Sequence, residues 1–251
     1  MRNKRIFIDP GHGGKSIGAS FKGRKEQDDC LRLSLAVKAI LLTQKGVDVM
    51  LSREDNSNPS ITERVAAANT WGADYFISIH RNAFSPNKAK GVEVWLFSKV
   101  TVGGDTYIKG ARLVNDLCES TEFVNRGVKL GAPRYADYGV NRLSKMSSCL
   151  LEVGFVDNED DNVIFDVFFA EIALSIAKSL LENVGLTYVA PVVKGDADGD
   201  GMITAADARL VLRAAVGLEK VPLERGDIDG DGKITATDAR DILKSSVEQE
   251  V

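Results

Sequence analysis

The sequence predicts an α/β fold, with a central twisted, largely parallel sheet and helices on both faces, followed by a small all-α unit. Three observations carry this expectation. Short apolar runs alternate with longer stretches of helical periodicity from residue 5 to residue 183. A stretch around Pro191, "TYVAPVVKG", then has no periodicity and reads as a linker over 187–195. Beyond it one motif occurs twice, beginning at Gly195 and Gly226, 31 residues apart. The expected organisation is a domain over 1–186, the linker, and a two-repeat unit over 196–251.

The elements follow in order. "RIFID" (5–9) is a short buried strand. Residues 27–44 have an amphipathic helical pattern closed by Gly46, and "VDVMLS" (47–52) is a strand. The stretch 60–72 opens with Ser60 three residues before Glu63, a capping box, and reads as a helix. "DYFISIH" (74–80) and "GVEVWLFS" (91–98) are strands, and 106–121 looks helical. The segment 98–110, with its Gly-Gly, reads as a mobile loop or a plain connection. "SCLLEVGF" (148–155) is a buried strand, followed by one long apolar helix around 160–183. Ligands of such sheets bind at the carboxyl ends of strands. Asp9 to His12, His80 and Glu152 all stand at or just beyond strand ends, the first sign that they meet.

Composition narrows the function classes. The net charge of −4 divides unevenly: the tail from Asp196 carries −6 and the first 195 residues +2. Neither part has the basic face or arm of a nucleic-acid binder. Cys30, Cys118 and Cys149 are odd in number and widely spaced, so they read as buried apolar residues rather than a disulfide framework. No run is long enough to span a membrane. The N-terminal apolar run is only "IFI", short of the roughly 7–15 residues of a signal peptide.

Each tail repeat reads D-x-D-x-D-G, with an apolar residue, a Thr and an Asp at fixed offsets. That is the calcium-loop pattern of an EF-hand. In the first loop Asp196, Asp198 and Asp200 supply carboxylates, Met202 its carbonyl, and Asp207 closes the loop. In the second, Asp227, Asp229, Asp231, Lys233 and Asp238 take the same parts, so two calcium ions are expected. The physical reason is crowding, because carboxylates forced onto one short loop repel unless a hard cation neutralises them. The closing residue is Asp rather than Glu, and no clear helix precedes the first loop. In this the tail resembles the type I dockerin family from 195 to about 247. The resemblance implies a small all-α dockerin/EF-hand-like calcium domain that docks onto a cohesin-like module. The pairs Ala205-Ala206 and Ala236-Thr237, before the closing Asp residues, stand where that family selects its partner. Docking onto the chain's own larger domain is the alternative.

The larger domain has the chain's only two histidines, each after an apolar run and beside small or polar residues. Two imidazoles and one carboxylate make a catalytic zinc set with the fourth position left to water. Glu26, Asp28 and Asp29 are all candidates for the carboxylate, and spacing does not choose among them.

At this point a second resemblance enters. "DPGHGG" (9–14), "RKEQ" (24–27), "SITERVAAANTWGADYFISIHRNA" (60–83), "GVEVWLF" (91–97) and "LLEVGFVDNEDD" (150–161) are similar to the motifs of the zinc-dependent N-acetylmuramoyl-L-alanine amidases, in order, from residue 5 to about 183. The resemblance implies one zinc ion on His12, Glu26 and His80, with Glu152 as the catalytic carboxylate. The substrate it implies is peptidoglycan, cut between N-acetylmuramic acid and L-alanine. Two departures stand out. Met146 and Ser147 precede the catalytic strand where the family often has Pro, and Arg81 follows the second ligand where smaller residues are common. Arg81 either contacts an anionic peptide stem or points to solvent, and Arg81 and Asn82 are the candidate substrate contacts. The resulting expectation is a cell-wall hydrolase made in the cytoplasm and released as phage endolysins are, or else a secreted autolysin whose leader this sequence lacks. A non-catalytic wall-binding protein docked to a scaffold, and a metallocarboxypeptidase acting on stem peptides, are the competing readings.

Overall fold

In the computed structural model of the chain, residues 2–132 and 137–248 are described, and the chain divides into two compact units, Met1–Tyr188 and Val189–Val251. The first is built on a six-stranded sheet. Its strands are β1 (Lys4–Pro10), β4 (Val47–Leu51), β5 (Tyr75–Asn82), β6 (Val92–Leu96), β7 (Asn125–Leu130) and β8 (Ser147–Phe155), in the order β4-β1-β5-β8-β6-β7. Neighbours run parallel except β6 and β8, which are antiparallel. The largely parallel sheet expected from the sequence is thus present, with one reversal.

Successive residues of a strand point to opposite faces, and this decides both layers. On one face Ile6, Ile8, Ile77, Ile79, Leu151 and Val153 pack into a continuous apolar core. It is covered by α1 (Glu26–Leu42), α3 (Asp105–Glu119) and α6 (Phe169–Asn183), through residues such as Leu33, Leu113 and Ile176. On the other face Phe7, Phe76 and Leu150 pack with Val65 and Ala68 of α2 (Ile61–Trp71) and with Val140 of α4 (Gly139–Arg142). Phe7 and Phe76 stack with ring centroids 5.6 Å apart. That second face turns polar toward the strand ends, where Asp9, Ser78, His80 and Glu152 continue the same alternation.

The capping box that opens α2 is formed as the sequence signals: Ser60 Oγ accepts from Glu63 N, and the Glu63 carboxylate accepts from Ser60 N. Two expectations are corrected, and two elements are added. The single helix around 160–183 is two, α5 (Glu159–Val167) and α6, meeting at Phe168. The sequence there has no Gly or Pro to mark the break. It is tertiary: Asp161 of α5 accepts from Gly91 N and Phe155 N, which ties α5 to the end of β8. Residues 105–110 are the first turns of α3, so the expected loop over 98–110 is shorter. Strand β7 has no counterpart in the sequence reading, because Gly127 and three polar residues break its alternation. A hairpin of β2 (Ser20–Phe21) and β3 (Arg24–Lys25), with a tight turn at Lys22-Gly23, directly precedes α1 and was also not foreseen.

The second unit contains α7 (Ala205–Ala215), α8 (Leu223–Gly226) and α9 (Ala236–Glu248). Its core is small. Val211 and Ile242, fully buried, meet Ala197, Ala208 and Ala239 between the helices. Among the described residues no helix is long and apolar enough to cross a membrane.

Both tryptophans, Trp71 and Trp95, lie in the first unit, so their fluorescence reports its unfolding alone. Ile176→Ala empties a fully buried site between α6 and the sheet. We expect a loss of about 2–5 kcal/mol, seen as a lower urea midpoint of the tryptophan signal at unchanged slope.

Candidate metal centre

The loop after β1 carries His12 with φ of 61°, a left-handed conformation uncommon for any residue but glycine. It is held there by two buried arginines that the sequence reading passed over. Arg64 of α2 donates to Asp9 Oδ1 at 2.7 Å, to the Pro10 carbonyl at 2.6 Å and to the His12 carbonyl at 2.7 Å. Arg53 donates to the carbonyls of Gly11 at 2.7 Å and Gln27 at 2.9 Å. Asp9 is buried and also accepts from Ser78 Oγ and Ser52 Oγ. The carbonyls of Pro10, Gly11 and His12, where the chain leaves β1, are in this way given side-chain donors.

Three side chains converge beyond the strand ends. The carboxylate Oε1 of Glu26, the first residue of α1, lies 3.1 Å from His12 Nε2 and 2.9 Å from His80 Nδ1. One ligand atom from each of the three falls within 4.8 Å of the others. The structure therefore selects Glu26 among the sequence candidates. Asp28 is exposed, and Asp29 is committed to Arg24 and Arg81. Two glycines make the convergence sterically possible. A Cβ on Gly11 would stand 2.5–2.7 Å from three atoms of the His80 ring, and one on Gly18 would meet Glu26 Oε2 and come within 2.7 Å of His12 Cδ2. Burial opposes a charge on Glu26, but hydrogen bonds to His12 and His80 outweigh it and hold its pKa well below the usual carboxylate range. Ala19 N donates to Oε2 at 2.8 Å and fixes the carboxylate further.

Glu152 stands on β8 directly across from His80 on β5. It is buried, and its Oε2 has no hydrogen-bond partner among the described residues. Burial, with the nearby charges of Glu26 and Glu93, pushes its pKa well up, against a smaller opposing effect of Arg81. Glu26, His12, His80 and Glu152 line one cavity of about 600 Å³, whose further walls include Asn58, Ile61 and Val140. The donor set fits a zinc ion: two imidazoles and an ionised carboxylate, gathered at one end of an open groove.

The two candidate substrate contacts fare differently. Asn82 lines the groove, but its amide donates to Glu93 Oε1 at 2.9 Å and its carbonyl accepts from Ala83 N at 2.8 Å. The Arg81 guanidinium corrects its expectation. It is buried on the opposite side of β5, 2.6 Å from Asp29, and is not presented to a substrate. Alternation along β5 contained that signal, since Arg81 is odd where His80 is even. Glu93, which accepts from Asn82, Trp95 and Arg126, was also missed.

In the second unit carboxylate oxygens converge twice. Asp196, Asp198 and Asp207 form one cluster, and Asp227, Asp229 and Asp238 the other. Asp200 and Asp231, named as ligands from their spacing, lie outside these clusters, where each accepts from the backbone two residues on, at Met202 N and Lys233 N. The closing residues match: Asp207 accepts from Ala197, Asp198 and Thr204, as Asp238 does from Ile228, Asp229 and Thr235. One difference is Arg225, which pairs with Asp196 Oδ2 at 2.9 Å.

An α/β sheet whose strand ends gather two histidines, one ionised carboxylate and a second, buried carboxylate has the parts of a metal-dependent hydrolase. The chain belongs to the N-acetylmuramoyl-L-alanine amidase family, whose model matches residues 6–182, and it carries a dockerin type I domain over residues 194–247. It is 34% identical over 216 residues to the N-acetylmuramoyl-L-alanine amidase CwlM of Bacillus licheniformis, a match covering 82% of this chain and 81% of that protein. It is 31% identical to the endolysin of Bacillus phage SPP1, over 73% of this chain and 67% of the endolysin. The crystal structure of an N-acetylmuramoyl-L-alanine amidase from Clostridium difficile 630 superimposes with a TM-score of 0.66 at 29% identity, covering 72% of this chain and 97% of that one.

Gly11 gives a clean probe of the centre, because it keeps an ordinary backbone conformation while its missing Cβ makes room for His80. Gly11→Ala is expected to displace that ring and weaken zinc binding by at least about tenfold. Competition with a chromophoric chelator measures it, and the urea midpoint of the zinc-free protein checks that the fold survives.

Proposed function

We propose that the first unit hydrolyses the amide between the lactyl group of N-acetylmuramic acid and L-alanine in peptidoglycan, with one zinc ion on His12, Glu26 and His80. The observation that carries this reading is the placement of Glu152, buried and directly across the sheet from His80, on the groove where the three ligands converge. Zinc in such a set supplies Lewis-acid polarisation of the scissile carbonyl and lowers the pKa of water to about 7.

The remaining steps fall to the chain. An amide is a poor electrophile with a poor leaving group, so a proton must reach its nitrogen as the C–N bond breaks. Glu152 takes a proton from the attacking water and passes it to that nitrogen. Its environment suits both transfers, because burial and neighbouring carboxylates hold its proton more tightly than an exposed carboxylate would. Glu26, in contrast, stays ionised and serves as a ligand. His12 and His80 present ring nitrogens toward Glu26, and Ser16 Oγ at 3.2 Å from His12 Nδ1 and Ser78 Oγ at 3.1 Å from His80 Nε2 help orient the rings.

We further infer that each tail loop binds one calcium ion and that the tail docks the enzyme onto a cohesin-like module. Asp196, Asp198 and Asp207 with the Met202 carbonyl, and Asp227, Asp229 and Asp238 with the Lys233 carbonyl, are the proposed ligands. We infer that the enzyme acts on the cell wall, reaching it by phage-type release or as an autolysin; the likeness to a phage endolysin and to a bacterial amidase supports this reading.

Two experiments test these readings. Mass spectrometry of peptidoglycan digested by wild type is expected to show free stem peptides beginning with alanine. Glu152→Ala and His80→Ala are expected to lose at least about a hundredfold of that activity while staying folded. Release of a terminal amino acid instead would establish a carboxypeptidase, and no release at all a wall-binding protein. For the tail, calcium titrated into the metal-free chain is expected to raise helix content by circular dichroism without moving the tryptophan signal of the first unit. A coincident change of both signals would overturn the idea that calcium folds the tail alone.

A further inference from the structure

Arg81 directly follows a proposed ligand, yet its side chain does no work in the groove. It crosses to the opposite face of β5, where it is 1% exposed. There Nη1 donates to Asp29 Oδ2 at 2.6 Å and Nη2 to Asn162 Oδ1 at 2.8 Å, and the guanidinium lies 4.1 Å from the centroid of the Phe165 ring. Asp29 is one helical turn beyond Glu26 on α1. Each end of this ion pair is therefore joined by a short, stiff piece of backbone to one metal ligand: Asp29 to Glu26, Arg81 to His80.

The pair is itself held on both sides. Arg24 donates to Asp29 through Nε at 2.6 Å and Nη2 at 3.1 Å, and Asn162 donates to the Val156 carbonyl at 2.8 Å. The sheet ladder pairs His80 with Glu152 but is interrupted at Arg81 itself, because the register of β5 against β8 shifts between His80 and Asn82. A strand leaving its ladder needs another restraint if the side chain it carries is to stay within tenths of an ångström. Arg81 also donates its backbone N–H to Glu26 Oε1 at 3.2 Å, so one residue reaches both the carboxylate and the far end of its helix turn.

We propose that the Asp29–Arg81 pair is a brace that fixes the Glu26–His80 spacing, making both positioning residues for metal binding. The inference rests on the reading of His12, Glu26 and His80 as the metal ligands. Electrostatics gives it a distinctive sign. A guanidinium beside a divalent cation repels it, so deleting the charge alone tightens metal binding. A brace predicts the reverse.

The test is zinc affinity of the full chain in saturating calcium, by competition with a chromophoric chelator. The urea midpoint of the zinc-free protein, from tryptophan fluorescence, is measured beside it. Arg81→Met keeps the length of the side chain, and Asp29 retains Arg24. We expect zinc binding weakened about 10–100-fold, the range found when groups behind metal ligands are removed. Arg81→Lys, which restores the charge without the fork, is expected to recover only part of it. The double variant Arg81→Met/Asp29→Asn is expected to bind zinc no more weakly than Arg81→Met. Zinc binding by Arg81→Met equal to or tighter than wild type, with only the urea midpoint lowered, would overturn the brace. Should Arg81→Met fail to fold, Asp29→Asn decides by the same measure. A wild type that takes up no zinc overturns the metal-centre reading and the brace with it. Wild type that binds zinc but releases no peptide overturns only the hydrolytic reading.

Discussion

A buried arginine, Arg64, holds the rest of the site in place. Its guanidinium neutralises Asp9 and caps the carbonyls of Pro10 and His12, while Arg53 takes those of Gly11 and Gln27. The turn that lifts His12 off the end of β1 cannot use helix or sheet hydrogen bonds, and an unmet buried carbonyl costs about 1–3 kcal/mol. With its carbonyls met, the loop tolerates a left-handed His12 and runs close enough to His80 that only glycine fits at 11. A buried ion pair of this kind adds little net stability, but loss of either partner strands a charge. Its use is to hold one conformation of a loop that has no regular structure.

Around that fixed loop the two carboxylates are driven in opposite directions. Glu26 and Glu152 are both buried, so desolvation raises both. The difference is partners: Glu26 has two imidazoles, whereas Glu152 faces Glu26 and Glu93 and has one oxygen unmatched among the described residues. One is thereby an anion ready for a cation, and the other a group that can hold and release a proton. Such divergence between neighbouring acids is what the proposed roles of ligand for Glu26 and acid–base group for Glu152 require.

The second unit obeys a different physics. Its apolar core is a handful of side chains, so burial alone leaves a unit of this size marginal. Its loops are instead organised by carboxylates that accept backbone N–H groups in two matching sets. Charge repulsion among those carboxylates opposes the fold, and in the proposed reading a bound cation relieves it, which would make metal affinity part of the folding free energy there.

Much of this was written in the sequence. Period-two and period-3.6 patterns depend only on neighbouring residues, so they mark β1, β4, β5, β6, β8 and the main helices, but neither β7 nor the β2–β3 hairpin. The two histidines at strand ends and the doubled acidic loops likewise pointed to metal chemistry before any coordinates. Tertiary structure decided what local pattern does not hold. It chose Glu26 over Asp28 and Asp29, because only the first residue of α1 reaches both rings. It split the helix at Phe168, reversed β6 against β8, and sent Arg81 behind the sheet to Asp29. It also turned Asp200 and Asp231 out of the carboxylate clusters. Each of these outcomes depends on groups distant in sequence competing for the same space or the same partner, and such competition leaves no periodicity to read.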